Sequence, residues 1–239
     1  MSKEAMIPFG LALESYFKGN KSSKIIYHRD DGQQTEDAIE GYFREYSNFS
    51  KREKIALDNC KGKVLDLGAG AGPHSLELQK RGYEVIALDI SERACDVMRK
   101  RGVNNIRCKS VYEIIDSEFD TILLLGCSIA FVENLKGLEK FLNHVKTLLS
   151  KNGIILMDSR DVRITNNPKH IKYQENNIDQ GKYRGEIHLQ IEFNGKIGEK
   201  FQILHIDPDI LEKIAKKTGY TYKILSKDKE GLYLAKLMK

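Results

Sequence analysis

The 239-residue sequence contains no tryptophan and only four prolines. It has no apolar run of about 18 residues, which is roughly the length that a helix needs to cross a membrane. Its first residues carry a lysine and a glutamate and lack the long apolar core of a signal peptide. We therefore expect a cytoplasmic protein that makes no membrane contact.

Cysteine is also scarce, and the four cysteines are not spaced for metal binding: Cys60, Cys95, Cys108 and Cys127. No pair follows a Cys-x-x-Cys spacing, and no histidine lies at a zinc-finger distance from any of them. Free thiols in a reducing compartment are the simpler interpretation. The sequence therefore predicts no metal site.

No strong excess of one charge is present, because 39 lysines and arginines are nearly balanced by 34 aspartates and glutamates, for a net charge of +5. The basic residues are scattered along the chain, whereas a nucleic-acid interface needs a contiguous basic face. A small-molecule partner is therefore favoured over a nucleic acid, although the net charge itself discriminates little between them.

What the sequence does contain is an alternation of short apolar runs and amphipathic runs between about residues 63 and 161. Residues 64–67, 83–89 and 119–126 have the composition of buried strands. Strands that alternate with helices predict right-handed crossovers and a parallel sheet. The chain is therefore predicted to be an α/β protein, with its main domain over residues 61–239.

Two segments lie outside this alternation. We expect residues 1–60 to form an N-terminal helical cap or lid, with a polar loop over residues 27–34 and a helix from about Glu36. Three aromatic residues recur there at helical spacing: Tyr42, Phe43 and Tyr46. A packing face is the favoured interpretation of these aromatics, and the alternative is that some of them line a ligand.

The second segment is an insertion at about residues 160–206. Within it, residues 187–206 predict a β-hairpin, because Asn194-Gly195 is a strong turn signal between two alternating runs. The hairpin could also serve as a homodimer surface.

The loop from Val64 to Pro73 carries the main chemical signal, Val-Leu-Asp-Leu-Gly-Ala-Gly-Ala-Gly-Pro. Ligands of open parallel sheets bind beyond the carboxyl ends of the strands, and glycines there let a ligand approach the backbone. A dinucleotide loop reads Gly-x-Gly-x-x-Gly, but Pro73 stands where its third glycine would be. Asp66 also argues against a dinucleotide, because a carboxylate at this position would repel a pyrophosphate and attract an ammonium group.

Asp89 is the second anchor, at the end of the second predicted strand and about twenty residues after the glycine loop, where an acid can accept hydrogen bonds from ribose hydroxyls. An aspartate at a strand end is more often a helix cap. Ser91 can supply that cap here, so we expect Asp89 to be free for a ligand.

Together, Asp66-Leu-Gly-Ala-Gly-Ala-Gly72, Asp89 and the strand at residues 119–126 resemble the class I S-adenosylmethionine-dependent methyltransferases. The resemblance covers about residues 60–160. Two strands are also expected at residues 220–225 and 232–237, and they fit the family's antiparallel ending. It implies a Rossmann-like three-layer sandwich, in which a seven-stranded, mostly parallel sheet has its last strand antiparallel. It also implies S-adenosylmethionine as the methyl donor and S-adenosylhomocysteine as the product.

The resemblance further implies a set of donor-binding residues: Asp66, Gly68, Ala69, Gly70, Asp89, Ile90, Ser110, Val111, Gly126 and Cys127. By this resemblance the glycine loop holds the methionine end, Ser110 and Val111 lie at the adenine, and Gly126 and Cys127 pass close to the methyl group. Two departures stand out. Ser110 occupies a position where many members have an acid, and Leu-Gly-Cys-Ser replaces the Asn/Asp-Pro-Pro-Tyr/Phe motif of enzymes that methylate amino groups of nucleic-acid bases.

Methyl transfer from a sulfonium is an in-line displacement, so a protein mainly supplies proximity, and a base is needed only if the acceptor atom carries a proton. The sequence does not identify a catalytic base. It offers five substrate-side candidates: His28, Arg29, Cys127, Arg160 and Tyr183. A solvated turn at residues 28–31 and a buried structural thiol at position 127 are the simpler interpretations of three of them.

The favoured hypothesis is S-adenosylmethionine-dependent methyl transfer to a small molecule that the sequence does not identify. One alternative is a methyltransferase that acts on RNA or protein, and another is a non-catalytic module that binds an adenosyl ligand. A nicotinamide oxidoreductase is disfavoured by Asp66 and Pro73.

Overall fold

A computed structural model of the chain describes residues 1–115, 118–126, 129 and 131–239. Its α-helices are α1 Ile7–Phe17, α2 Lys51–Asp58, α3 Pro73–Lys80, α4 Glu92–Arg101, α5 Leu135–Leu148, α6 Pro168–Asp179 and α7 Pro208–Lys217. Its strands are β1 Lys24–Arg29, β2 Gln34–Ala38, β3 Lys63–Leu67, β4 Glu84–Asp89, β5 Ile106–Cys108, β6 Phe119–Leu124, β7 Leu149–Arg160, β8 Glu186–Phe193, β9 Lys196–Ile197, β10 Phe201–Leu204, β11 Thr221–Lys227 and β12 Leu232–Met238.

The first sheet is the predicted α/β core, with seven strands in the order β11-β12-β7-β6-β3-β4-β5. Strands β3 to β7 run parallel to one another. The last strand, β12, lies antiparallel between β7 and β11. The Rossmann-like fold and its antiparallel last strand are therefore confirmed.

Apolar burial on both faces holds this sheet in place. Phe119 and Ile122 of β6 are fully buried, and they pack in one cluster with Phe141 and Leu142 of α5. Burying one such side chain contributes about 1.5–3 kcal/mol, so a strand buried on both faces is anchored by several such contributions. This burial explains why β6 reads as a continuous apolar run.

Local signals set the helix boundaries in the core. The Ser91 side chain accepts a hydrogen bond from the Ala94 backbone N–H and begins α4, as predicted. Gly102 ends that helix in the left-handed conformation, with φ of +94°. At the start of α5, the Asn134 side chain acts as Ser91 does and accepts a hydrogen bond from the Gly137 N–H.

A second sheet joins the N-terminal segment to the insertion at about residues 160–206, although no sequence pattern indicates that they interact. Its strands run in the order β10-β8-β1-β2, with β9 paired to β8. The predicted hairpin within the insertion is present, since β8 and β9 are antiparallel partners across the turn at Asn194-Gly195. β8 also pairs with β1 from the amino-terminal segment, where Tyr27 lies opposite Ile191.

The structure differs from the local expectation over residues 24–38 of the N-terminal segment. Residues 24–38 form an antiparallel hairpin around Gly32, where a polar loop and the start of a helix were expected. Pairing with β8, a strand more than 150 residues away, decides the conformation, and no local pattern reveals that partner. Helix α6, inside the insertion, was also not predicted, although Asn167 caps it and Pro168 opens it.

Among the helices of the described ranges, none is both long and apolar enough to span a membrane.

Candidate functional site

A cavity of about 850 Å³ lies between the carboxyl ends of the parallel strands and one face of the second sheet. All nine predicted donor-binding residues that fall in the described ranges line this cavity: Asp66, Gly68, Ala69, Gly70, Asp89, Ile90, Ser110, Val111 and Gly126. Cys127, the tenth, lies outside the described residues. The structure therefore brings together residues from four separate loops.

The glycine loop has a backbone conformation that requires glycine. Gly70 and Gly72 have φ values of +58° and +77°, in the left-handed region. At position 72 a Cβ atom would also lie 2.9 Å from the Cγ2 atom of Val103, so a side chain there would clash with the core. The Gly68 and Ala69 N–H groups both donate to the Leu88 carbonyl, which ties the loop to the neighbouring strand.

Asp66 is a buried carboxylate at the base of the loop, with 2% of its surface exposed. Its Oδ2 atom accepts a hydrogen bond of 2.6 Å from the Ser75 hydroxyl. Burial raises the pKa of Asp66, while the charge of nearby His74 opposes that rise. A cationic group entering the cavity here would relieve the cost of burying this charge.

Asp89 is engaged by the backbone on both of its oxygens. Oδ2 accepts from the Gly70 N–H at 2.9 Å, and Oδ1 accepts from the Ser91 N–H at 2.8 Å. Ser91 caps α4 as expected, and the backbone bonds of Asp89 were not anticipated. Because each carboxylate oxygen has more than one acceptor position, Asp89 can still receive hydroxyl donors from the cavity. Burial raises the pKa of Asp89 to about 6.

Ser110, the residue that departs from the family pattern, is part of a local cap. Its hydroxyl oxygen accepts from the Tyr112 N–H at 3.3 Å, and its own N–H donates to the Glu113 carboxylate at 2.7 Å. One acceptor position of the hydroxyl is thus already used, which leaves less for an adenine amino group.

A charged cluster that the sequence reasoning missed lines the cavity near Asp66. Glu53, only 5% exposed, accepts hydrogen bonds of 2.9 Å from Arg44 and from His74. Its burial favours the neutral acid, but His74 and the Ser50 N–H bring the pKa of Glu53 down to about 2. The pattern Ser50-x-x-Glu53 is that of a capping box, so the sequence could have predicted the helix start at Ser50. No sequence pattern predicts the contact between Glu53 and His74.

One aromatic residue of the N-terminal segment lies over the glycine loop. Tyr42 lines the cavity, and a Cβ atom at Gly70 would lie 3.7 Å from its ring. The Tyr42 hydroxyl donates to Asp37 at 3.2 Å, and its ring packs edge-on against Phe9. Phe43, in contrast, packs against Tyr16. Phe43 thus fits the packing interpretation, whereas Tyr42 lines the cavity and stays a candidate for ligand contact.

The substrate-side candidates are not brought together. Arg29 lines the cavity and is paired with Asp31, at 2.7 Å. His28, the next residue along the strand, instead forms a 2.7 Å contact with Glu192. The other two described candidates, Arg160 and Tyr183, do not appear in the cavity lining within the described ranges. Tyr183 donates to Asp207 at 2.6 Å, and Cys127 lies outside the described residues.

Part of the wall formed by the second sheet is apolar. Five side chains of β8 and β10 make up this part and face the cavity: Ile187, Leu189, Ile191, Phe201 and Ile203. Besides His74, two histidines line the cavity, His170 and His205. In the part of the chain that the structure describes, no group of three or more His, Cys, Asp or Glu side chains could hold a metal ion.

The chain is similar to known methyltransferases. Residues 65–157 match a family model described as a methyltransferase domain. A solved structure of an S-adenosylmethionine-dependent methyltransferase from Bacteroides fragilis, in complex with S-adenosyl-L-homocysteine, is 29% identical. That alignment covers 98% of this chain and 95% of the other, with a TM-score of 0.85.

Curated relatives match over shorter stretches. A glycine/sarcosine N-methyltransferase from Halorhodospira halochloris is 26% identical over 152 residues, which is 56% of this chain and 57% of the relative. A ubiquinone biosynthesis O-methyltransferase from Bradyrhizobium diazoefficiens is 28% identical over 127 residues, which is 50% of this chain and 49% of the relative. The chain spans about half the length of these curated relatives.

Proposed function

Because this chain belongs to the class I, Rossmann-like S-adenosylmethionine-dependent methyltransferases, we propose that it transfers the methyl group of S-adenosylmethionine to a small molecule. The observation that carries the proposal is the cavity itself, in which Asp66, the glycine loop and Asp89 form one wall. The second sheet forms the opposite wall, so donor and acceptor would meet between the two.

The charges of the cavity suit the donor's methionine end. The buried carboxylate of Asp66 attracts an ammonium group, whereas Glu53 and Arg44 are already paired with each other at 2.9 Å. A pyrophosphate would meet the buried Asp66 at the same place and be repelled. The site therefore fits a cationic nucleoside better than a dinucleotide.

The middle of the cavity suits a ribose. Asp89 is fixed by the N–H groups of Gly70 and Ser91, so its orientation does not depend on a ligand. Asp89 lines the cavity, where hydroxyl groups can donate to its remaining acceptor positions. We propose that Ser110 and Val111 contact the adenine, Ser110 through the acceptor position of its hydroxyl that the cap leaves open.

S-adenosylmethionine, once bound, supplies an already activated methyl group for in-line displacement. The protein's part is then to hold the acceptor close and to exclude water. The apolar wall of the second sheet and Tyr42 over the glycine loop perform this positioning. No described residue has to act as a base unless the acceptor atom carries a proton at neutral pH.

A small-molecule acceptor is favoured by the dimensions of the cavity. Its volume of about 850 Å³ lies within the range of roughly 300–1,000 Å³ typical of ligand pockets. A sheet covers the side opposite the donor loop, whereas RNA or a protein segment would need an open basic or aromatic groove. The names of the relatives, which act on glycine or sarcosine and in ubiquinone biosynthesis, also favour small acceptors. Homodimerisation through the insertion hairpin stays a prediction.

Transfer of a labelled methyl group tests this proposal. The purified protein and labelled S-adenosylmethionine are incubated in parallel with a small-metabolite extract, with total RNA and with a protein extract. Label should appear in the metabolite fraction and depend on the protein, and Asp89→Ala should abolish it. Label that accumulates only in RNA or protein would contradict the small-molecule assignment, and label in no fraction would contradict methyl transfer.

A further inference from the structure

The cavity wall formed by the second sheet is divided into a polar half and an apolar half. On β1 and β2 the side chains that face the cavity are polar: Tyr27, Arg29, Thr35 and Asp37. On β8 and β10 they are the five residues named above, Ile187, Leu189, Ile191, Phe201 and Ile203, which we call the apolar patch. The sheet register places Leu189 directly between Arg29 and Phe201, so the two halves adjoin.

His205 lies at the far end of the apolar patch. It follows β10 immediately, and its backbone N–H donates to the Gly185 carbonyl at 2.9 Å, which extends the strand pairing by one step. Side chains alternate along a strand, so His205 shares the cavity face with Phe201 and Ile203. It lines the cavity, as the pattern requires.

The imidazole of His205 is half-buried, and its Nδ1 atom is enclosed. Its Nδ1 atom has no hydrogen-bond partner among the residues that the structure describes. Burial, reinforced by the positive charge of Arg160, lowers the pKa of His205 to about 4. The ring is therefore neutral at physiological pH, with one N–H donor and one nitrogen acceptor. A buried polar atom without a partner is costly, so a ligand that supplies the partner is favoured.

The surroundings of the patch also restrict the charge of such a ligand. A cation at the apolar patch would be repelled by two positive charges. Arg160 acts on His205, and Arg29 lines the adjoining wall. An anion would lose its hydration against aliphatic side chains, while the guanidinium of Arg29 is already paired with Asp31 and bonded to Gln33. An uncharged ligand avoids both costs.

We propose that the apolar patch and His205 form the acceptor subsite, and that its ligand is an uncharged, apolar molecule with a hydroxyl group that hydrogen-bonds to His205. This assignment rests on the proposed function, because it fills the part of the cavity opposite the donor loop. His205 acts as a binding residue that selects the acceptor class. A hydroxyl suits a neutral imidazole because it can donate to the unprotonated ring nitrogen or accept from the ring N–H, whichever of the two it meets.

The test uses the full-length protein saturated with S-adenosylhomocysteine and four probes of one shape. The probes are 2-naphthol, 2-methoxynaphthalene, 2-naphthoate and 2-naphthylmethylamine, which differ in hydroxyl and charge. Dissociation constants are measured by ligand-observed NMR. We expect 2-naphthol to bind at least about tenfold more tightly than each of the other three. Binding of a charged probe as tightly as 2-naphthol, or no binding of 2-naphthol, overturns the assignment.

Variants connect that preference to the residue. His205→Leu should weaken 2-naphthol binding about tenfold, and His205→Gln, which keeps a donor and an acceptor, should weaken it less. His28→Gln is the matched control, because His28 contacts Glu192 and does not line the described cavity. Unchanged 2-naphthol affinity in His205→Leu would overturn the role of His205.

Two failures are distinguishable by one added measurement. S-adenosylhomocysteine affinity should stay within about threefold of wild type in all three variants, which also shows that they are folded. If wild-type protein does not bind S-adenosylhomocysteine, the proposed function fails. If it binds S-adenosylhomocysteine but shows no preference for 2-naphthol, only the acceptor class is wrong.

Discussion

The protonation state of Asp89 should control the affinity for the donor product. Burial raises the pKa of this carboxyl to about 6, and the negative charge of Asp66 adds to the rise. Ribose hydroxyls donate to the ionised carboxylate, so the ligand binds the deprotonated form and lowers that pKa. Affinity for S-adenosylhomocysteine should therefore be fully developed above pH 6 and fall as the pH drops through it.

The magnitude follows from the ionised fraction. With a pKa of about 6, roughly one Asp89 in eleven is ionised at about pH 5, against ten in eleven at about pH 7. The dissociation constant should thus rise about tenfold between about pH 7 and about pH 5. Asp89→Asn removes the charge, and losing one charge-assisted hydrogen bond of about 1.5–3 kcal/mol should weaken binding roughly 10- to 150-fold at pH 7.

Isothermal titration calorimetry with S-adenosylhomocysteine, at matched ionic strength, measures both effects. The Asp89→Asn protein should lose the part of the pH dependence that Asp89 supplies, and any remaining slope belongs to other groups such as Asp66. Asp96→Asn, an exposed aspartate in the following helix, is the control and should behave as wild type. A wild-type affinity that is flat between pH 5 and pH 7, or an Asp89→Asn protein with wild-type affinity, would refute the assignment.

Three further predictions concern the glycine loop, the charged cluster around Glu53, and Tyr42. Gly72→Ala should destabilise the protein by about 1–3 kcal/mol in urea unfolding, because its Cβ atom would lie 2.9 Å from Val103. Gly82→Ala, with similar φ and open space around it, should cost less, and equal losses would contradict a steric cause. Glu53 has its pKa lowered to about 2 from 4.5, so the stability lost in Glu53→Gln should shrink as pH falls through that interval. Tyr42→Ala should weaken S-adenosylhomocysteine binding about tenfold, whereas Tyr42→Phe, which keeps the ring over the loop, should change it little.

The parts of the molecule that the sequence predicted are those encoded by neighbouring residues. The loop from Asp66 to Gly72 follows its strand directly, and Asp89 ends the next one. Periodicity and cap residues such as Ser91 placed the core elements of the sheet. These signals suffice because a parallel sheet brings its strand ends to one edge without further information.

The parts that escaped prediction depend on contacts between distant segments. β1 pairs with β8 from the insertion, and the two segments show no complementary pattern in the sequence. Glu53 and His74 are 21 residues apart, and they meet only once α2 and α3 are packed. Likewise, no local pattern identifies His205. Its place in the cavity wall and its Nδ1 atom, which has no partner among the described residues, follow from tertiary packing. Tertiary packing, not local propensity, created the cavity wall opposite the glycine loop.

The central claim is that the cavity holds a cationic nucleoside without phosphate, because a buried carboxylate lies under the glycine loop. Calorimetric titration of the wild-type protein with S-adenosylmethionine, S-adenosylhomocysteine and NAD tests it most directly. We predict one saturable site for each of the first two ligands and no binding of NAD. Tight binding of NAD, or no heat with S-adenosylmethionine, would contradict the claim.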